Sequence, residues 1–177
     1  MKKVGIIVAF FAVFLCLYFL QANFFTWFTI SDVMPNIFVI FMLFIGLFAG
    51  KKVGAFCGIL FGIILDFCIG KSIFMYAIML MVVGFLGGIL DKNFSKDSRI
   101  TIMLMVAGMT CLFEIGMYVF SVFLLSANLE IIAFLKTLVI EIVYNVILTI
   151  IVYPLFPIFG YPIEENFKGK TILTKYF

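Results

Sequence analysis

What confines this chain most is how rarely its apolar character is interrupted. From Val4 to Tyr153 hydrophobic residues run in stretches of 16 to 26, parted by breaks as short as Lys51-Lys52. Runs of about 17–25 apolar residues match the hydrocarbon thickness of a bilayer when wound as α-helix. A β-barrel would need apolar and polar residues to alternate, and continuous runs do not. Only 12% of the 177 residues are charged and 66% are hydrophobic, with a mean hydropathy of +1.33. That is about half the charge of a soluble domain, too little to clothe a water-facing surface. The expected fold is an all-α integral membrane protein forming one membrane domain over residues 1–177.

Six spans are expected, at about 4–20, 35–50, 53–70, 72–90, 100–125 and 131–153, followed by a tail over 154–177. Lys2 and Lys3 precede the first span. No small-residue cleavage site follows it, so an uncleaved anchor is expected. Phe24–Val33 holds the sole tryptophan and reads as an interfacial aromatic segment. Pro35 suits the first turn of the second span, Lys51-Lys52 reads as a tight turn, and Asp91–Arg99 is the longest fully polar loop. Pro154, Pro157 and Pro162 are expected to end regular helix.

The basic residues test this division. With both termini inside, Lys2, Lys3, Lys51, Lys52, Lys92, Lys96, Arg99, Lys168, Lys170 and Lys175 fall on the cytoplasmic side, and only Lys71 and Lys136 outside. Cytoplasmic enrichment of Lys and Arg is the rule for such proteins, so six spans and an N-in, C-in topology support each other.

Several chemistries are excluded. With no histidine there is no Ser-His-Asp triad, no Cys-His pair and no histidine-ligated metal. Cys16, Cys57, Cys68 and Cys111 sit in apolar runs with no CxxC and read as small hydrophobes. No cofactor, metal or nucleic acid is expected.

Three stripes stand out. In GAFCGILFGIILD, Gly54, Gly58, Gly62 and Asp66 are four apart, so they share one helical line. Lipid provides no hydrophobic drive for helices to associate, and small residues allow the close approach that does. With Gly46 and Gly50 ending the previous span, the glycines read as packing faces of a short antiparallel hairpin. Asp66 near the outer end is expected either to be wetted by headgroup water or paired with Lys71, or to make a polar contact within the bundle or with a partner. The other stripes are Thr110, Glu114 and Tyr118 in span five, and Thr137, Glu141, Asn145 and Thr149 in span six, with Tyr144 beside them. A charge near mid-bilayer is costly, so the two stripes are expected to face each other or a shared cavity. Interhelical hydrogen bonds between protonated glutamates, a proton or substrate path, and a seat for a partner helix all remain open.

The order PNIFVIFMLFIGLFAG, Lys51-Lys52, VGAFCGILFGIILD, Gly70 and a span ending GFLGGILD resembles the rod shape-determining MreD family, from about Pro35 onward. The chain departs from the family pattern at Asn36, where an acid is common, and at Ser72-Ile73-Phe74, where a second glycine is usual. The resemblance implies a non-enzymatic scaffold in the bacterial inner membrane, serving cell elongation and peptidoglycan synthesis. MreC, the MreB filament, the RodA glycosyltransferase and its class B transpeptidase would be its partners, with room for a homodimer. It also implies a six-helix fold similar to the substrate-binding subunits of vitamin transporters. The alternative function is such a transporter subunit, with the polar stripes as its pocket. An intramembrane enzyme built on Asp66, Glu114 and Glu141 is the weakest reading.

Overall fold

The computed structural model describes residues 2–69, 74–94, 96, 98–125 and 130–169. Gly70, Lys71 and Ser72, the expected junction of the third and fourth spans, lie outside them, as do Lys170 and Lys175. The described residues form α1 (Lys2–Phe19), α2 (Ile37–Ala49), α3 (Lys51–Ile69), α4 (Met75–Asn93), α5 (Arg99–Leu125), α6 (Ile131–Val152) and α7 (Leu155–Lys168), with no β-strand among them. Five helices are long and apolar enough to cross a membrane: α1 with its continuation to Phe28, α3, α4, α5 and α6. The chain is a multi-pass membrane protein.

The exception is α2. Its 13 residues span about 20 Å, well short of a ~30 Å hydrocarbon core. Every residue of it except Phe44 is buried, so it forms the axis of the bundle where the sequence predicts one arm of a membrane hairpin. On one side Phe10 and Phe14 of α1 meet Phe38 and Phe41 of α2, and Phe14 stacks on Phe61 of α3 with centroids 4.4 Å apart. On another side Phe156 of α7 packs edge-on against Phe44, at 5.1 Å. Glycines of α3 and α4 close a third.

Lys51 and Lys52 are not a turn; they are the first residues of α3. Gly50 alone reverses the chain, at φ +91°, with its N–H bonded to the Gly46 carbonyl at 3.0 Å and its own carbonyl accepting from Gly54 at 2.9 Å. Only glycine takes that φ without strain. A Cβ on Gly50 would touch only Lys168 Cε, at 3.7 Å, so the turn accounts for this glycine better than a packing face does.

The last three prolines also behave differently from expectation. Pro154 precedes α7 and Pro157 sits in its first turn, where amide protons have no intrahelical partner to lose. Pro162 does remove an interior bond, yet the helix continues to Lys168. Its Phe156, Gly160, Ile163 and Phe167 form an inward stripe at helical spacing, and Gly160 fits flush on the Phe48 ring. Leu155, Ile158, Phe159 and Tyr161 stay exposed on the other face.

Candidate functional site

Two polar arrangements are built into the apolar bundle, and the glycine line explains the first. α3 and α4 run antiparallel in a register set by small residues: Gly62 lies against Ala77, Gly58 against Leu80 and Met81, Gly54 against Gly84, and Gly88 against the Lys51 backbone. A Cβ at Gly58 would lie 2.6 Å from Leu80 C and Met81 N, and one at Gly54 2.8 Å from Gly84 C and 2.9 Å from Gly46 Cα. No side chain fits, so the two backbones touch, and α2 joins them where Gly46, Gly54 and Gly84 meet. Gly84, Gly87 and Gly88 of α4 are the other half of this face, and the run GFLGG was its signal in the sequence.

One rung past Gly62 comes Asp66. Its carboxylate accepts the amide protons of Tyr76 at 3.0 Å and Ala77 at 3.1 Å, two of the four unsatisfied donors that open α4. Asp66 is only 8% exposed, so it is neither wetted by headgroups nor turned outward. The glycines bring α4 close enough for a carboxylate on α3 to cap it, and negative charge at a helix N-terminus also suits the macrodipole. Phe74, in left-handed conformation at φ 65°, starts the helix and supplies no side-chain cap of its own.

The second arrangement joins α5, α6 and the start of α2. Asn145, wholly buried, donates from Nδ2 to Thr110 Oγ1 at 2.9 Å and accepts from the backbone N–H of Asn36 at 2.8 Å. Thr149 donates to the Asn145 carbonyl at 2.6 Å. One rung further along, this register sets Glu114 of α5 opposite Glu141 of α6, where Glu141 is buried and its Oε1 and the Asn36 Oδ1 have no hydrogen-bond partner. At the next rung Tyr118 stacks on Phe134 with centroids 4.2 Å apart. Gln21 clamps the entrance to α2, donating to the Pro35 carbonyl at 2.8 Å and accepting from the Ile37 amide at 3.4 Å, while Tyr144 donates to the Phe28 carbonyl.

Two ionised carboxylates facing each other at this depth repel, and each also costs desolvation free energy. No Lys or Arg among the described residues is ion-paired with either glutamate, and Lys136 is exposed. A proton or another cation on the pair would relieve that repulsion. Asn36 and Gln21 were not singled out by sequence reasoning, because nothing in an isolated Asn or Gln shows that a short helix will start inside the bundle.

At the opposite end of α4, Lys96 bridges Asp91 at 2.7 Å and Glu164 at 2.5 Å, and Lys168 reaches Asp91 at 2.6 Å and the Leu47 carbonyl that ends α2. This network ties α7 to the bundle. Burial alone would lower the Lys96 ammonium, but its hydrogen bonds to Asp91 and Glu164 outweigh that and hold it above its ordinary value of 10.5. Among the described residues no group of three or more His, Cys, Asp or Glu side chains is placed to hold a metal ion, and Cys16, Cys57, Cys68 and Cys111 are all free.

The chemistry these arrangements offer is packing, capping and the holding of charge inside a membrane bundle. Neither the curated proteins nor the solved structures include a match to the chain. The family model for rod shape-determining protein MreD matches residues 1–159, from the first helix into the last, and the chain belongs to that family, whose role is the determination of rod shape.

Proposed function

We propose that this protein is a non-enzymatic scaffold of the cell-elongation machinery in the bacterial inner membrane, with six spans, the short α2 counted among them, and both termini in the cytoplasm. The observation that carries the reading is the family match over residues 1–159. The glycine-locked unit of α2, α3 and α4 supports it, since a scaffold needs a core that does not yield when partners pull on it. MreC is the partner it binds within or beside the membrane, and through that contact it helps to position MreB, RodA and the class B transpeptidase. Outward-facing Val4, Val8 and Phe19 of α1 and Ile132, Val139 and Val143 of α6 offer apolar surface to lipid or to a partner's membrane segment. Lys51, Lys52 and Arg99 supply positive charge on the cytoplasmic side in this topology, where anionic lipid attracts it.

The test is affinity purification of the tagged full-length chain co-expressed with MreC, followed by mass spectrometry for small molecules. The scaffold reading expects MreC to co-purify in a fixed ratio and no vitamin-sized ligand to be retained. A retained small molecule without MreC would move the assignment to the transporter subunit.

A further inference from the structure

We infer that the Glu114–Glu141 pair is a binding site for one exchangeable monovalent cation, a proton or an alkali-metal ion, held between α5, α6 and the N-terminus of α2. This goes beyond the scaffold reading and does not depend on it.

Four observations converge on the pair. Its two carboxyls come from different helices and share one rung, since the Asn145–Thr110 bond sets the α5–α6 register and Glu114 and Glu141 each lie four residues further along it, so a positive charge between them relieves their repulsion. No basic side chain among the described residues is ion-paired with either. Glu141 is 6% exposed, yet its Oε1 has no hydrogen-bond partner there, and the neighbouring Asn36 Oδ1 is a second buried oxygen without one. Buried polar atoms are nearly always satisfied, so two open acceptors on adjacent side chains mark a place built for something else to bind. Oxygen acceptors around a carboxylate suit a proton or a hard cation, which takes oxygen ligands.

The fourth observation is the N-terminus of α2. The helix begins inside the bundle, at the depth of the α5–α6 polar rungs, and its first amide donates to Asn145. The positive end of its dipole favours keeping one negative charge on the pair. In membrane transport proteins such buried helix N-termini face anionic groups, here the negative charge that the pair keeps once one cation has joined it. The other titratable groups on the packed elements are Tyr76 of α4, whose amide bonds Asp66 of α3, and Tyr118 one rung along α5, whose buried hydroxyl has no hydrogen-bond partner; Lys136 on α6 is exposed. Asp66 is already occupied by two backbone amides, so it does not compete for the cation. Exchange is one for one: a carboxyl proton leaves for solvent as an alkali-metal ion arrives, and the charge of the pair is conserved.

The experiment is infrared difference spectroscopy of the protonated-carboxyl stretch on the full chain in proteoliposomes. The buffer is stepped from acid to alkaline in sodium chloride and, separately, in choline chloride of equal ionic strength. The wild type is expected to lose a carboxyl band on the alkaline side, and that band is expected to be missing from E141Q and changed in E114Q. A proton-only site loses it at the same pH in both salts; an alkali-metal ion shifts the loss to lower pH in sodium. A band that persists through the alkaline range in both salts would overturn the inference, because the pair would then be permanently protonated. So would an unchanged band in both variants. The wild-type titration decides the first point even if a variant fails to fold.

Discussion

One methyl group at Gly58 tests the central packing claim. In Gly58→Ala the new Cβ would stand 2.6 Å from Leu80 C and Met81 N, both backbone atoms. Carbon contacts are comfortable at about 3.5–4.0 Å, so α4 must retreat by about 1 Å. No rotamer change can relieve this, because neither side of the clash has one to change. A gap of that size forfeits a quarter to a half of each contact's attraction. It would open along the whole face, since Gly54–Gly84 and Gly62–Ala77 are rungs of the same ladder. Leu65, Leu80 and Val83, all essentially unexposed, would loosen with it.

Overpacking typically costs 1–3 kcal/mol, and contact between two backbones belongs at the upper end, about 3 kcal/mol. On the scaling for globular chains of this size, that lowers the melting midpoint by roughly 6–12 °C. The assay is thermal unfolding of the purified protein in detergent, with Gly108→Ala as control. A Cβ at Gly108 meets nothing within 4 Å, so the control should melt at or slightly above wild type through improved helix propensity. Gly58→Leu, with far more to accommodate, should also lose MreC on co-purification. Were Gly58→Ala as stable as Gly108→Ala, the backbone contact between α3 and α4 would not be the determinant argued above.

Further substitutions address the other elements. Asp66→Asn replaces one accepting oxygen by an amide donor facing the Tyr76 or Ala77 N–H; a loss of about 1–3 kcal/mol is expected, with faster hydrogen exchange at those two amides as its local signature. Gly50→Ala forces a Cβ into left-handed backbone and should cost about 1–2 kcal/mol, seen as a lower midpoint with no change in which partners bind. Asn145→Val leaves the Asn36 amide and the Thr110 hydroxyl without their buried partner and should destabilise by about 1–3 kcal/mol, whereas Thr137→Val on the same helix should be milder. The Lys96 network has a pH signature. An ammonium held above its ordinary value contributes stability fully below 10.5 and loses it as pH climbs through the raised folded value. Spin labels on α7 should therefore report release only in strongly alkaline buffer, and Lys96→Met should release it at every pH.

How far the sequence could be read depended on the range of the interactions involved. Helix existence was legible because hydropathy is a local property, and the five long helices follow the apolar runs closely. The fate of the prolines was not, because α7 persists through contacts made 100 residues away, such as Gly160 on Phe48. Likewise the four-residue spacing of Gly54, Gly58 and Gly62 marked a packing face, but not its partner. Gly46 and Gly50 on the preceding span seemed the natural match, while the closer fit runs along α4, through Ala77, Gly84 and Gly88. Two glycine stripes of equal spacing are interchangeable to a reader of the chain; only the register of the assembled helices tells them apart.

Asp66 shows why that register matters for function. Read alone, a carboxylate at the end of a glycine line is open to solvent, a lysine or a partner. Once α3 and α4 are locked rung by rung, the next rung falls on the unsatisfied amides of Tyr76 and Ala77, and the charge is absorbed in holding a helix end. Glu141 is the contrary case. Its rung on α5 offers another acid, and the nearby Asn36 Oδ1 is itself unpartnered, so assembly brings the acid into company without satisfying it. The two acids thus separate by what the neighbouring helix presents at the matching rung. A backbone donor makes Asp66 structural, while Glu141, with a second acid on the facing rung and an oxygen left unpartnered, is the acid that packing does not account for.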